Sequence, residues 1–228
     1  MKWRSLEESA SSEDARPLGE IYSERKQLIT RYVPAETQEI HARVVAELRQ
    51  RRHAEGALKG GNPAPRFELP DQNGKLVASA GLLSRGRLVV CFFRGRWCPF
   101  CVGQMEAMNR MLAQMEQAGA SLVGISPQTV QQSYFMHDQH KLGFPLLSDA
   151  GNQVARQFGL VYNVPDYQQA VYRRAFVNLP FANGDESWEL PIPATFIVER
   201  DGTILFASAN EDYTERPEPV EILSRLTA

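Results

Sequence analysis

The 228 residues are 43% hydrophobic and 23% charged, an ordinary globular composition with enough chain to bury a good-sized core in one or two domains. A formal net charge of −2 gives no long-range pull toward nucleic acid or anionic membrane. Three cysteines make no disulfide framework, so the expected setting is a reducing cytoplasm, where a disulfide is transient and catalytic.

Residues 1–16 are rich in Ser, Glu and Arg and hold no apolar stretch. They do not read as a secretory signal, and no run in the chain approaches membrane-spanning length. Pro17 then opens a helical pattern with Ile21, Tyr22, Leu28, Ile29 and Tyr32. Pro34 opens a second, in which Ile40, Val44 and Leu48 form a narrow stripe. Its Glu36 and Glu39 stand at the start and Arg49, Arg51 and Arg52 at the end, as the helix dipole favours, so these arginines need no nucleic acid to explain them. Gly56, Gly60, Gly61, Asn62 and Pro63 make a link. Residues 1–59 are thus expected to form a tail and helical extension, and residues 60–228 the main domain. The extension packs either on its own sheet or on a partner in a homodimer.

Past the link, Asn73-Gly74 is a tight-turn signal for a hairpin. The run from Leu88 to Phe93, bounded by Gly86 and Gly95, has the pattern of a buried strand. Met105, Met108, Met111, Leu112 and Met115 then recur at helical spacing until Gly119, which suits a helix end. Ala120 to Ile125 reads as a second strand, and Gln131 to Lys141 as a polar helix. Phe144 to Asp149 and a short helix from Asn152 to Phe158 follow. The region from Val161 to Glu189 carries Tyr162, Tyr167, Tyr172, Phe176, Phe181 and Trp188 and is no linker; it either shapes one rim of a site or packs without a catalytic part. Pro193 to Val198 and Thr203 to Ala207 form a hairpin about Arg200-Asp201-Gly202.

Where the first buried strand gives way to the methionine-rich helix stands Cys98-Pro99-Phe100-Cys101, preceded by Arg94, Arg96 and Trp97. First-turn amides of a helix lack internal partners and favour an anion, and a thiolate is one. Such placement, with arginines nearby, lowers a cysteine pKa from about 8.5 to roughly 3.5–7.5. Pro99 suits the first helical position, and the i to i+3 spacing puts both sulfurs on one face. A zinc site would need two more ligands, for which only His137 and His140 have suitable spacing. A CxxC inside an α/β pattern favours dithiol redox chemistry over zinc or inert cysteines. Cys91, in mid-strand, reads as a small buried hydrophobe.

The segment from Phe92 to Cys101 resembles the active-site segment of peroxiredoxins, and Trp97-Cys98-Pro99-Phe100-Cys101 equally resembles thioredoxin. Together they are similar to a peroxiredoxin-like branch of the alkyl hydroperoxide reductase and thiol-specific antioxidant (AhpC/TSA) superfamily that carries a thioredoxin-type CxxC. Ala64 to Lys75, Phe144 to Asp149 and the final hairpin extend the likeness over about residues 60–226. The resemblance implies a thioredoxin-like α/β fold, a central mixed β-sheet flanked by helices, behind the N-terminal extension. On the peroxiredoxin alignment Cys101 is peroxidatic, Cys98 replaces a threonine and Arg94 replaces a proline. Thioredoxin logic reverses the two cysteines, and the order stays open. Trp97, Pro99, Arg94 and Arg96 are expected to support the pair. Pro193 stands where peroxiredoxins place an arginine; thioredoxins have a cis-proline there, so a dithiol-facing role with inferred cis geometry is expected. Arg94, Arg96 or an arginine from the 161–189 region is a candidate to replace the missing one; the sequence leaves open whether any does.

The implied activity is reduction of hydrogen peroxide or alkyl hydroperoxides through a Cys98–Cys101 disulfide, reset by a thioredoxin-like or glutaredoxin-like reductant, with no metal or organic cofactor. Protein dithiol-disulfide exchange and non-enzymatic redox sensing are the alternatives.

Overall fold

The computed structural model describes residues 16–227, so the reading of the first fifteen residues lies outside the described part. Its centre is β3 (Arg87–Phe92), flanked on one side by β4 (Ala120–Ser126) and β5 (Leu146–Ser148), and on the other by β8 (Ala194–Val198) and β9 (Ile204–Ala209). Strands β3, β4 and β5 run parallel; β8 is antiparallel to β3, and β9 to β8. Two short antiparallel pairs, the hairpin β1–β2 (Glu68–Pro70, Leu76–Ala78) and the pair β6–β7 (Val161–Asn163, Glu189–Pro191), form sheets separate from this one.

The unbroken apolar run of β3 follows from cover on both faces. Leu88, Val90 and Phe92 enter one core layer; Val89, Cys91 and Phe93 enter the other. Helix α4 (Pro99–Arg110) packs in the second layer through Met105 and Met108. The helix expected to run on to Gly119 is interrupted at Met111 (φ −98°, ψ 2°) and resumes as α5 (Leu112–Gln117), whose Met115 is again fully buried. Helices α3 (Ser79–Leu83), α6 (Val130–Gln139) and α7 (Gln153–Gln157) complete the α/β part. This is a thioredoxin-like fold, a mixed sheet between helical layers. Among the described residues no helix is long and apolar enough to cross a membrane.

The N-terminal extension packs in cis and divides between the layers. Helix α1 (Leu18–Tyr32) places Leu18, Ile21 and Tyr22 in the layer that holds the two CxxC cysteines, and α2 (Ala35–Gln50) places Val44 and Leu48 in the other. The Pro17 side chain cannot cap α1. Glu218, just before α10 (Pro219–Thr227), does so instead, its carboxylate accepting from the amides of Leu18 (2.9 Å) and Gly19 (2.7 Å). An ion pair from Lys26 to Glu215 (3.0 Å) ties the same helix to the same C-terminal segment.

The 161–189 region contributes α8 (Asp166–Arg174) and α9 (Leu179–Asn183) between β6 and β7. Tyr162, Val164, Tyr172 and Leu179 are buried in the first layer, so the segment is built into the fold.

Candidate active site

Strand β3 delivers the chain to the dithiol through a short turn. The amide of Phe93 still bonds to Ile125 (3.0 Å), and Gly95 then adopts φ 149°. A Cβ there would lie 2.6 Å from Trp97 Nε1, so the indole packs directly on the glycine backbone. Cys98 is the N-cap of α4: its amide bonds to the Gly95 carbonyl (3.1 Å) and its Sγ accepts from the Cys101 amide (3.3 Å). Pro99 takes the first helical position, where a missing N–H costs nothing. The two sulfurs stand 2.7 Å apart, within hydrogen-bond reach, and neither cysteine has exposed surface.

Each sulfur has its own guanidinium. Arg94 Nη2 donates to Cys98 Sγ (3.1 Å) and Nη1 to the Tyr172 hydroxyl (3.3 Å), while its planar head lies 3.9 Å over the Tyr213 ring and 5.1 Å from the Trp97 ring. Arg216 Nη2 reaches Cys101 Sγ at 3.7 Å. Arg216 Nε bonds to Gln104 (2.9 Å), whose amide bonds to Thr195 (3.2 Å), which meets Cys91 Sγ at 3.8 Å.

These surroundings push the two thiols apart. Burial, followed by the hydrogen bond with Cys101, drives Cys98 well above the ordinary thiol range. Burial acts in the same sense on Cys101, but the hydrogen bond with Cys98 and the positive charges of Arg216 and Arg94 outweigh it and hold Cys101 well below that range. The two thiols titrate as a pair in which ionisation is favoured at Cys101. Burial pushes Cys91 up to about 12, so it remains a thiol at neutral pH.

The extension closes over this turn. The Tyr22 hydroxyl donates to the Phe100 carbonyl and Arg25 Nη1 to the Pro99 carbonyl. Arg25 is 2% exposed, and its guanidinium occupies the space that a side chain at Gly103 would fill. A narrow, mostly apolar cleft of about 80 Å³ leads to Cys98, bounded by Ile29, Val33, His41, Tyr172 and Tyr213; Cys101 is not among its walls.

Within that cleft the His41 ring has Nδ1 3.1 Å from Gln168 Nε2. Burial, then the charge of Arg94, lowers its pKa from 6.5 to about 4. The unfolded chain therefore takes up this proton first as pH falls. Stability from the neutral ring is present above about 6.5 and lost toward 4, a difference of about 3 kcal/mol. Urea unfolding at pH 7 and pH 4.5 should show this loss in the parent and a smaller one in His41→Gln. Identical acid losses in both proteins would remove the histidine from the account.

Of the residues the sequence points to, Cys98, Cys101, Pro99, Trp97 and Arg94 come together. Arg96 turns away: its Nε bonds to Gln132 (2.5 Å), its amide to Gln128 (3.0 Å), and its head lies 5.8 Å from the Phe135 ring. Pro193 is buried one residue before Ala194, the partner of Phe92, and so lies level with the end of β3 that feeds the dithiol. Its inferred cis bond is corrected: every described peptide bond is trans, the isomer an X–Pro bond intrinsically favours. His140 bonds to Glu106 (2.9 Å), and among the described residues no group of three or more His, Cys, Asp or Glu is placed to hold a metal. Arg216, Tyr172, Tyr213, Tyr22 and Arg25 were not singled out for the site by sequence. Arg216 sits in a short charged stretch outside any helix or strand, where no periodicity marks it.

Known proteins share sequence and fold with this chain. The model of the AhpC/TSA family matches residues 60–207. A candidate peroxiredoxin of Mycobacterium tuberculosis is 31% identical over 153 residues, 67% of this chain and 86% of that protein. Peroxiredoxin Bcp of Escherichia coli K12 is 33% identical over 103 residues, 45% of this chain and 65% of its own length. Among solved structures, peroxidoxin BcpB of M. tuberculosis superposes with a TM-score of 0.59 at 25% identity, covering 74% of this chain and 96% of its own. A buried dithiol at the head of a helix in a thioredoxin-like fold, together with a family match over most of the chain, establishes that this protein belongs to the AhpC/TSA family.

Proposed function

We propose that this peroxiredoxin-like thiol oxidoreductase reduces hydrogen peroxide and alkyl hydroperoxides, with Cys101 attacking and Cys98 resolving. The Cys101 thiolate attacks the terminal peroxide oxygen: an S–O bond forms, the O–O bond breaks, sulfur is oxidised to sulfenic acid and the peroxide leaves as alkoxide or hydroxide. The leaving oxygen takes the proton of the Cys98 thiol. The new Cys98 thiolate attacks the sulfenic sulfur and expels hydroxide, closing the Cys98–Cys101 disulfide. An external dithiol of thioredoxin or glutaredoxin type, in a reducing cytoplasm, restores the pair. The observation that carries this reading is the sulfur pair 2.7 Å apart, with no exposed surface and a guanidinium on each sulfur. A small peroxide needs far less opening of sulfurs so enclosed than a protein disulfide does.

The reversed order, with Cys98 attacking, draws support from two observations. Cys98 is the sulfur that borders the cleft, and it accepts from both Arg94 and the Cys101 amide. The reading as a peroxidase is tested by stopped-flow oxidation of the reduced protein with hydrogen peroxide, followed through Trp97 fluorescence. A rate constant about 10²-fold or more above that of a free thiolate is expected, since preorganised charge stabilisation is worth that much. A rate equal to free thiolate, with rapid exchange against protein disulfides, would transfer the assignment to disulfide exchange.

A further inference from the structure

We infer that Arg216, carried by the C-terminal segment and held in place by the N-terminal helix, is the catalytic arginine that activates the peroxide at Cys101. The inference rests on the reading above, in which Cys101 attacks. Breaking the O–O bond builds negative charge on the departing oxygen, and a fixed cation beside the attacking sulfur lowers the cost of that charge. Two arginines touch the sulfur pair, and they are not equivalent. Arg94 has Nη2 on Cys98 and Nη1 on Tyr172, and the rings of Tyr213 and Trp97 lie against its head. Arg216 touches Cys101 itself, is partly exposed, and bonds otherwise to two neutral oxygens, those of Gln104 and the Glu215 carbonyl (3.2 Å). One N–H on each of its terminal nitrogens is left over by these contacts.

Its charge is also uncompensated by any carboxylate among the described residues. Glu215 pairs with Lys26, and Glu218 accepts from the amides of Leu18 and Gly19. Both flanking carboxylates are thus engaged by α1, which leaves the Cys101 sulfur as the anion that Arg216 meets. The same contacts give the N-terminal extension a part in the chemistry: they hold the segment on either side of Arg216 against α1. Meanwhile Gln104, on the dithiol helix, sets the guanidinium relative to the sulfur. In the attack step Arg216 donates to the peroxide oxygen that leaves. It carries the developing negative charge until the Cys98 proton arrives, and it gains and loses no bond of its own.

The test uses the full-length reduced protein and its R216Q and R216K variants. Single-turnover oxidation by hydrogen peroxide and by cumene hydroperoxide is read alongside the pH midpoint of thiolate absorbance. R216Q is expected to lower the second-order rate constant about 10²–10³-fold with both peroxides and to raise the thiolate midpoint, with R216K recovering part of the rate. The proposal is overturned if folded R216Q reacts within about threefold of a fast parent. Should R216Q fail to fold, a folded R216M that reacts within about threefold of a fast parent overturns it equally. A parent no faster than free thiolate would bring down the peroxidase reading and this inference together, which separates that failure from a failure of Arg216 alone.

Discussion

Replacing Cys101 by serine is expected to lower the rate of peroxide reduction about 10⁴-fold or more, because the reacting atom itself is removed. Cys98→Ser should behave differently. Its first oxidation should survive, because a serine hydroxyl can still donate to the Cys101 sulfur as the Cys98 thiol does, and the oxidised sulfur should persist as a sulfenic acid once the Cys98 thiol is no longer there to condense with it. A sulfenic-acid reagent should therefore label Cys98→Ser and leave Cys101→Ser blank. Catalytic turnover with a thioredoxin-type reductant should be lost in both. Labelling confined to Cys101→Ser would reverse the order of the cysteines and favour the cleft-lining sulfur as nucleophile. Serine is the right probe at these positions, since it keeps the size and the hydrogen-bonding capacity of a side chain in a fully buried pair.

Removal of residues 1–33, which takes away α1, is expected to abolish cooperative folding under ordinary conditions. Leu18, Ile21 and Tyr22 are each at most 4% exposed, and burial of such side chains is worth about 1.5–3 kcal/mol apiece, about 5–9 kcal/mol together. That is comparable with the whole net stability of a domain, about 5–15 kcal/mol. Truncation would also bare the layer containing Phe100 and the dithiol and free the Glu215–Glu218 segment. Leu18→Ala and Ile21→Ala are milder versions, each expected to cost about 2–5 kcal/mol in urea unfolding. A truncated protein that unfolds cooperatively at a midpoint near the parent's would show α1 to be a separable appendage. Retained Cys101 reactivity in that protein would also remove α1 from the positioning of Arg216.

The exposed aromatic residues of the 161–189 region show where composition misleads. Tyr172 from this region bonds to Arg94, so part of the segment does border the site. Phe176 and Phe181 are 96% and 69% exposed, although their residue type favours burial. Aromatic content alone does not divide these roles, because Tyr172 lies on the inward face of α8 and Phe176 in the turn just after it.

What the chain by itself determined is what local patterning controls. A doubly covered strand shows as the continuous run from Leu88 to Phe93. The N-cap placement of Cys98, Pro99 in the first turn and i to i+3 sulfurs follow from adjacency along a few residues, and so does the contact of Arg94 with Cys98. Tertiary structure alone decided the rest of the electrostatics. Arg216 reaches Cys101 across 115 positions, Tyr22 reaches Phe100 across 78, and Glu218 caps Leu18 across 200. Arg96, close in sequence, is drawn to Gln132 on a neighbouring helix. No periodicity records such pairings, because they depend on which elements the sheet order brings to one end of β3. The thiolate is set by the charges gathered there as much as by the motif that holds it.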